Sequence, residues 1–175
     1  MTTMQVHDIQ QGSPEWHALR AKHFCASEAA AMMGASPYMT RSELLRQKAT
    51  GIIPEVDAAT QRRFDDGHAT EAAFRPVVER IIGEDLYPVV GTLEVEGLPL
   101  LASFDGLTMD WQTGYEHKRI NNALRALRDS PDGVEVPDQY VWQLEQQMLV
   151  SGARGIWFCA SDGTVHLSLP EIGRA

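Results

Sequence analysis

The chain contains little cysteine and no long apolar segment. Its two cysteines, Cys25 and Cys159, are far apart and have neither the spacing of a metal site nor that of a redox pair. We therefore expect free thiols in a reducing compartment. No apolar run approaches the roughly 20 residues of a membrane helix. The first residues also lack the basic start and apolar core of a secretory signal. These absences predict a cytoplasmic protein.

Basic residues are scarce relative to acidic ones. The sequence has 15 Lys and Arg against 24 Asp and Glu, which gives a formal net charge of −9. Since non-specific affinity for nucleic acid comes mainly from Lys and Arg, a broad nucleic-acid surface is disfavoured. A concentrated basic patch or an enclosed channel is still compatible with this charge, because a local field can differ from the net charge.

The 175 residues are enough for one domain with its own core, and the hydrophobic fraction of 43% is ordinary for a globular protein. Near residue 86 the pattern changes from helical to extended. We expect a single domain over 1–175, with a helix-rich N-terminal part at about 1–85 and a sheet core with an inserted helix at about 86–170. This order predicts an α/β fold with a mixed central sheet flanked by helices.

Local signals predict the individual elements. Helices are expected at 14–20, 28–33, 40–50, 58–82 (with an interruption near Gly67), 121–128 and 137–150. Strands are expected at 87–95, 100–107 and 114–120, followed by a hairpin of 155–160 and 164–169 around Asp162 and Gly163. A loop is expected at 130–133.

The most informative residues are Asp105, Glu116 and Lys118. Glu116 and Lys118 are two apart in a predicted strand, so their side chains share a face. Two charges on one face of a buried strand are costly unless they are paired or bound to a metal. Carboxylates are hard oxygen ligands that suit Mg²⁺, and a lysine beside them can orient or deprotonate a water and stabilise the charged transition state. The alternatives are an ordinary turn at Asp105 and a solvated strand face at Glu116 and Lys118.

Two further polar residues are candidates for the same site. Glu71 continues the apolar helical stripe of Phe74 and Val78, so its carboxylate faces inward. The alternative is a weak surface pair with Arg75, four residues later. Gln143 lies on a predicted helix, where it either positions Lys118 and a water or belongs to a polar outer face.

Arg20, Ser27 and Ser103 suggest a phosphate contact. Ser27 is predicted to cap a helix N-terminus, where free N–H groups suit an anion, and Arg20 can add a bidentate contact. The alternative for Ser27 is a plain cap. Ser103 precedes Asp105 by two residues, so the two side chains are expected on one face of the strand.

Six segments in order resemble the lambda-exonuclease/YqaJ family of phage-type recombination nucleases, within the PD-(D/E)xK superfamily. The resemblance covers about residues 11–161. The segments are Gln-Gly-Ser-Pro-Glu-Trp-His-Ala-Leu-Arg, Ala-Ser-Glu, Gly-His-Ala-Thr-Glu, Ala-Ser-Phe-Asp-Gly-Leu, Glu-His-Lys and Tyr-Val-Trp-Gln-Leu-Glu-Gln-Gln-Met. A single D…ExK pattern is a frequent accident, but six segments with suitable spacing are strong together.

The resemblance implies a restriction-endonuclease-like core and a role for each candidate residue. Mg²⁺, with Mn²⁺ able to substitute, would be bound by Asp105, Glu116, the backbone carbonyl of His117 and, through water, Glu71. Lys118 would activate the attacking water and Gln143 would orient it. The 5′-phosphate of a DNA end would be held by Arg20, Ser27 and Ser103.

The implied activity is that of a metal-dependent exonuclease in a bacterial cytoplasm, encoded by the bacterium or by a phage. It would degrade linear double-stranded DNA 5′→3′, release mononucleotides and leave a 3′ single strand for recombination. A ring-shaped homotrimer and a single-strand annealing protein as partner are also implied. Two alternatives stay open: a structure-selective endonuclease of the same fold, and a catalytically inactive module that binds DNA ends.

Overall fold

In the computed structural model of the protein, residues 3–52, 58–128, 136–162 and 166–173 are described. The helices are α1 (Pro14–Ala21), α2 (Ala29–Met32), α3 (Arg41–Thr50), α4 (Ala58–Ile82), α5 (Asn122–Arg128) and α6 (Asp138–Ser151). The strands are β1 (Gln5–His7), β2 (Phe24–Cys25), β3 (Tyr87–Val95), β4 (Leu98–Leu107), β5 (Thr113–Arg119), β6 (Gly155–Ser161) and β7 (His166–Gly173). The predicted loop at 130–133 and Gly163 of the predicted hairpin turn lie outside the described residues.

Capping residues fix several helix ends where the sequence predicts them. The Ser13 hydroxyl accepts a hydrogen bond from the Trp16 N–H, and α1 starts at the following proline. In α3 the Thr40 hydroxyl accepts from the Glu43 N–H while the Glu43 carboxylate accepts from the Thr40 N–H. Gly51 ends this helix with a φ of +70°. Strong local signals therefore suffice for these two helices.

Two local predictions are wrong, and two short strands were not predicted. The short strands β1 and β2 lie in the part expected to be helical, where they are too short to give a period-2 pattern. Helix α4 runs through Gly67 without the expected interruption. The helix expected at 28–33 covers only Ala29–Met32, because Ala26–Glu28 forms a separate 3₁₀ turn before it.

The strands form one mixed sheet with the order β1-β3-β4-β5-β6-β7, in which β2 pairs with β4. The pairs β2–β4 and β5–β6 are parallel, and β1–β3, β4–β5 and β6–β7 are antiparallel. The predicted α/β class with a mixed sheet and flanking helices is confirmed. None of the described helices combines the length and the apolar character needed to cross a membrane.

The chain divides into two compact units built from interleaved segments. The first unit comprises Met1–Pro54, Pro88–Phe104 and Val136–Ala153. Its core contains the buried residues Cys25, Val90 and Leu101, against which Ile9, Trp16 and Leu19 pack. Helix α1 therefore packs on this core through Trp16 and Leu19.

The second unit comprises Glu55–Tyr87, Asp105–Glu135 and Arg154–Ala175. Its core contains Phe74, Val78, Leu86, Tyr115 and Cys159. The apolar stripe that continues from Glu71 is thus buried against β5 and β6, as predicted. This packing fixes the rotation of α4 about its axis. The side of the helix that carries Glu71 therefore faces the interior of the second unit.

Gly106 marks a close approach inside the second unit, and we predict that Gly106→Ala is destabilising. A Cβ at this position would lie 2.8 Å from the Cβ of Leu86, an atom without rotational freedom. We expect the free energy of unfolding to fall by about 1–3 kcal/mol, as for other overpacked cores.

Gly67→Ala in α4 is the matched control, since its Cβ would meet no heavy atom within 4 Å. There the helix propensity of alanine should raise the free energy of unfolding by about 0.5–1 kcal/mol. Urea unfolding of both variants measures the difference. A Gly106→Ala protein as stable as the wild type would contradict this packing.

Candidate active site

The β4–β5 pairing brings Asp105 beside the strand that carries Glu116 and Lys118. Gly106 of β4 pairs with Tyr115 of β5 in antiparallel register. One carboxylate oxygen of Asp105, Oδ2, accepts a hydrogen bond of 2.8 Å from the backbone N–H of His117. Asp105 is therefore tied to the backbone of the Glu-His-Lys segment, although eleven positions separate it from Glu116 in the sequence.

Glu116 and Lys118 contact each other on β5. The ammonium Nζ of Lys118 lies 2.5 Å from Oε1 of Glu116. The Glu116 side chain is only 3% exposed and that of Lys118 is 26% exposed. A solvated strand face is therefore excluded for Glu116, whose charge is compensated inside the protein. The Lys118 side chain is therefore partly exposed to solvent, whereas the carboxylate that it contacts is buried.

Glu71, on α4, belongs to the same compact unit as Asp105, Glu116 and Lys118. Its carboxylate lies 2.5 Å from Nη2 of Arg75, so the pair considered as the alternative does form. The Glu71 side chain is only 13% exposed, however, and this is not an ordinary surface pair. The hydroxyl of Tyr115 also donates to the backbone carbonyl of Glu71 at 3.3 Å, which links α4 to β5.

The electrostatics of Asp105 show that these carboxylates interact. Burial raises the pKa of Asp105 well above its ordinary value, and the negative charges of Glu116 and then Glu71 raise it further. The Lys118 ammonium and the His117 N–H offset this increase only in part. The three carboxyl groups and Lys118 therefore interact electrostatically, and the two glutamates are each paired with a cation.

A hard divalent cation fits this donor set chemically, since carboxylate oxygens are the ligands that Mg²⁺ prefers. Across the described part of the chain, however, no three His, Cys, Asp or Glu side chains already converge as a metal site. Two of the carboxylates contact Lys118 and Arg75 instead. Mg²⁺ is usually held by one or two carboxylates together with substrate phosphates, so a preformed cage is not required.

The side chain of His117 packs in the interior. Its Nε2 lies 2.7 Å from the hydroxyl of Ser161, and its ring lies 5.9 Å from that of Phe74 between centroids. Burial, and then the nearby Lys118 charge, lowers the pKa of His117 to about 4. The imidazole is therefore neutral at neutral pH. This agrees with the expectation that only its backbone carbonyl could serve a metal.

Arg20, Ser27 and Ser103 are connected in the first unit through Trp16. The Arg20 guanidinium donates to the Ser27 hydroxyl at 3.2 Å and lies 4.4 Å from the centroid of the Trp16 ring. The indole N–H of Trp16 donates to the Ser103 hydroxyl at 2.9 Å. Since that hydroxyl accepts from the indole, its own proton is left to donate elsewhere.

The expectation that Ser27 caps a helix is wrong. It lies within the 3₁₀ turn Ala26–Glu28, and the carboxylate of Glu28 accepts from the N–H of Cys25 at 3.0 Å. This local hydrogen bond starts the turn one residue before the expected cap. Any role of Ser27 toward a phosphate therefore depends on its exposed hydroxyl and on Arg20, not on a helix terminus.

Gln143 is half-buried on α6, in the first unit. Sequence reasoning missed the importance of the next turn of this helix. Gln147 is fully buried, and its amide donates to the carbonyl of Ser103 at 3.2 Å. Gln146 donates to the carbonyls of Phe24 and Leu101, at 2.8 and 3.2 Å. The polar face of α6 therefore holds strands β2 and β4 in place.

Sequence reasoning also missed the partners of Arg20. The spacing of Trp16 and Arg20, four residues apart on one helix, was an available signal for their contact. The sequence around Lys48 contained no such signal, because the contacts of Lys48 with the segment before Glu28 are formed only by the tertiary fold.

Comparisons with known proteins agree with this fold. The crystal structure of an alkaline exonuclease, LHK-Exo, from Laribacter hongkongensis is 25% identical, with a TM-score of 0.69, and the match covers 93% of this chain and 83% of that chain. The structure of LHK-Exo in complex with dAMP matches with the same identity and coverage and a TM-score of 0.70. A search of the curated proteins finds no match.

A family model decides the assignment. The model of the YqaJ-like viral recombinase domain matches residues 15–154, which include every candidate residue described above. The match therefore covers most of the chain, including parts of both units and the elements that carry the carboxylates. This protein belongs to the YqaJ-like viral recombinase domain family.

Proposed function

We propose that this protein is a Mg²⁺-dependent exonuclease that degrades linear double-stranded DNA from its ends. It acts 5′→3′, releases mononucleotides and leaves 3′ single-stranded DNA for recombination by strand annealing. The observation that carries this proposal is the placement of Asp105, whose carboxylate accepts from the N–H of His117, beside Glu116 and its ion-pair partner Lys118. Glu71 is near enough that its charge, after burial and the charge of Glu116, contributes to the raised pKa of Asp105.

The family and its structural neighbours support a nuclease role. The neighbour LHK-Exo is an alkaline exonuclease, and one of its structures is a complex with dAMP. Deoxyadenosine monophosphate has the chemistry of a product released when single nucleotides are removed from DNA. By similarity, we assign the same class of product to this protein.

The carboxylates would hold the metal, and the chain's own groups would handle the proton. Asp105, Glu116 and the carbonyl of His117 are the proposed ligands, with Glu71 acting through water. When bound, Mg²⁺ would supply positive charge against the phosphate oxygens. Lys118 is held by Glu116, where it would orient the attacking water, or take its proton once the lysine has given up its own, and Gln143 is proposed to orient that water. Together these groups must lower a barrier by an amount on the order of 20 kcal/mol.

Recognition of the DNA end is assigned to Arg20, Ser27 and Ser103. The guanidinium of Arg20 is held by Trp16 and Ser27, so little side-chain freedom is lost when it binds a 5′-phosphate. The exposed Ser27 hydroxyl and the Ser103 hydroxyl are further donors. The three groups match the charge and hydrogen-bonding needs of a terminal phosphate.

The net charge of −9 bears on the proposed assembly. A ring-shaped homotrimer enclosing duplex DNA would combine an acidic outer surface with a basic inner one, and would keep the enzyme on its substrate. We propose this assembly, and a single-strand annealing protein as its partner, from the resemblance of the sequence to the family.

Lys118→Ala should reduce the cleavage of linear duplex DNA in Mg²⁺ by about 10²- to 10⁴-fold, the usual contribution of one proton-transfer group. Binding of DNA ends should persist, since other residues make those contacts. Digestion of an end-labelled duplex measures the first effect, and fluorescence anisotropy in Ca²⁺ measures the second. Lys22→Ala, at an exposed lysine beyond α1, is the control. Full activity in Lys118→Ala would refute the assignment.

Arg20→Ala should slow digestion of 5′-phosphorylated duplex by about tenfold or more, the value of one charge-assisted contact, and affect 5′-hydroxyl ends less. The same assay includes single-stranded DNA and a closed circle. An exonuclease leaves the circle intact, whereas cleavage of the circle would favour an endonuclease. Equal loss on both kinds of end would discard the phosphate site.

A further inference from the structure

Lys48 of α3 binds the chain segment that carries Arg20 and Ser27. Its ammonium Nζ lies 2.9 Å from the carbonyl oxygen of Arg20 and 2.8 Å from that of His23. It also lies 2.8 Å from the carboxylate Oε2 of Glu28. These three acceptors match the three donors of an ammonium group. With its side chain only 17% exposed, Lys48 is committed to this segment.

Glu28 connects Lys48 to the Arg20 guanidinium. Its Oε2 accepts from the N–H of Cys25 at 3.0 Å, and its Oε1 lies 3.7 Å from Nη2 of Arg20. The carboxylate is therefore a competitor for the positive charge that a phosphate would need. It is shared between two cations, and the closer of the two is Lys48.

The balance of charge around Arg20 depends on Lys48. Two cations, Arg20 and Lys48, and one anion, Glu28, leave a surplus of one positive charge. Without Lys48, Arg20 and Glu28 would cancel, and the carboxylate would be free to pair with the guanidinium alone. A phosphate would then have to displace an internal ion pair, which weakens its binding.

We propose that Lys48 is a positioning residue that sets the preference of this protein for phosphorylated DNA ends. It holds the carboxylate of Glu28 and fixes the backbone at Arg20, which leaves the guanidinium available to the 5′-phosphate. The inference rests on the proposed function, in which Arg20 and Ser27 receive that phosphate. Lys48 itself does not touch the DNA.

The test uses Lys48→Met, which keeps the length and apolar stem of the side chain and removes its charge. KM and kcat are measured in Mg²⁺ on matched linear duplexes with 5′-phosphate and 5′-hydroxyl ends. The ratio of KM for phosphate ends to KM for hydroxyl ends should rise by about tenfold, as for the loss of one hydrogen bond to a charged group. Lys22→Met should leave this ratio unchanged. A ratio in Lys48→Met equal to that of the wild type would overturn the proposal.

A compensating substitution separates an electrostatic role from a structural one. In Lys48→Met/Glu28→Gln the surplus positive charge on Arg20 returns, although more contacts have been removed. The KM ratio should return most of the way to its wild-type value. A structural role of Lys48 predicts instead that the ratio rises above that of Lys48→Met. Glu28→Gln alone should lower the KM ratio below that of the wild type. If urea unfolding shows that Lys48→Met is unfolded, the KM ratio of Glu28→Gln alone tests the proposal. An unchanged or raised ratio in Glu28→Gln contradicts the proposed role of Lys48.

Arg20→Ala in the same assay separates a failure of the proposed role of Lys48 from a failure of the proposed phosphate site. A selective effect of Arg20→Ala without one of Lys48→Met rejects the role of Lys48 and keeps the phosphate site. Equal effects of Arg20→Ala on both kinds of end reject the phosphate site, and the inference about Lys48 is then rejected with it.

Discussion

Negative charge concentrated at the junction of β4 and β5 is the constraint on which the site depends. Burial raises the pKa of Asp105, the charges of Glu116 and then Glu71 raise it further, and Lys118 offsets only part of this. Such an arrangement is costly for the folded chain, because buried carboxylates lose hydration, and the ion pairs of Glu116 with Lys118 and of Glu71 with Arg75 offset part of this cost. In the proposed function, this cluster attracts a divalent cation. The packing of α4 on β5 through Phe74, Val78 and Tyr115 keeps the three carboxylates together.

The first unit shows the opposite arrangement, a local surplus of positive charge around Arg20. Arg20 is a single cation beside a carboxylate, and it would be neutralised by Glu28 if Lys48 did not share that carboxylate. Trp16 and Ser27 restrict the guanidinium further. An acidic protein thereby keeps a local surplus of positive charge, which is what its proposed DNA substrate requires. Net charge was a poor guide here, since a few fixed contacts determine the field around Arg20.

Much of the fold follows from local signals. Ser13 with Pro14, Thr40 with Glu43, and Gly51 fix helix ends that the sequence predicts well. The bounds of β3, β4 and β5 are predicted to within two residues, and Glu116 with Lys118 could be placed on one face from spacing alone. The strands β1 and β2 are too short for a periodic signal, and the 3₁₀ turn at Ser27 depends on one side-chain hydrogen bond. The contacts of Lys48 and Gln147 join residues distant in sequence, and no local pattern encodes them.

The central claim is that Asp105 and Glu116 bind one divalent cation at a DNA end. Crystals of Lys118→Ala grown with a short 5′-phosphorylated duplex and Mn²⁺ would test it through the anomalous scattering of the metal. We expect a peak at about 2.1 Å from a carboxylate oxygen of each residue and from the carbonyl of His117. Ordered DNA with no peak between these carboxylates, or with a peak held by other residues, would contradict it.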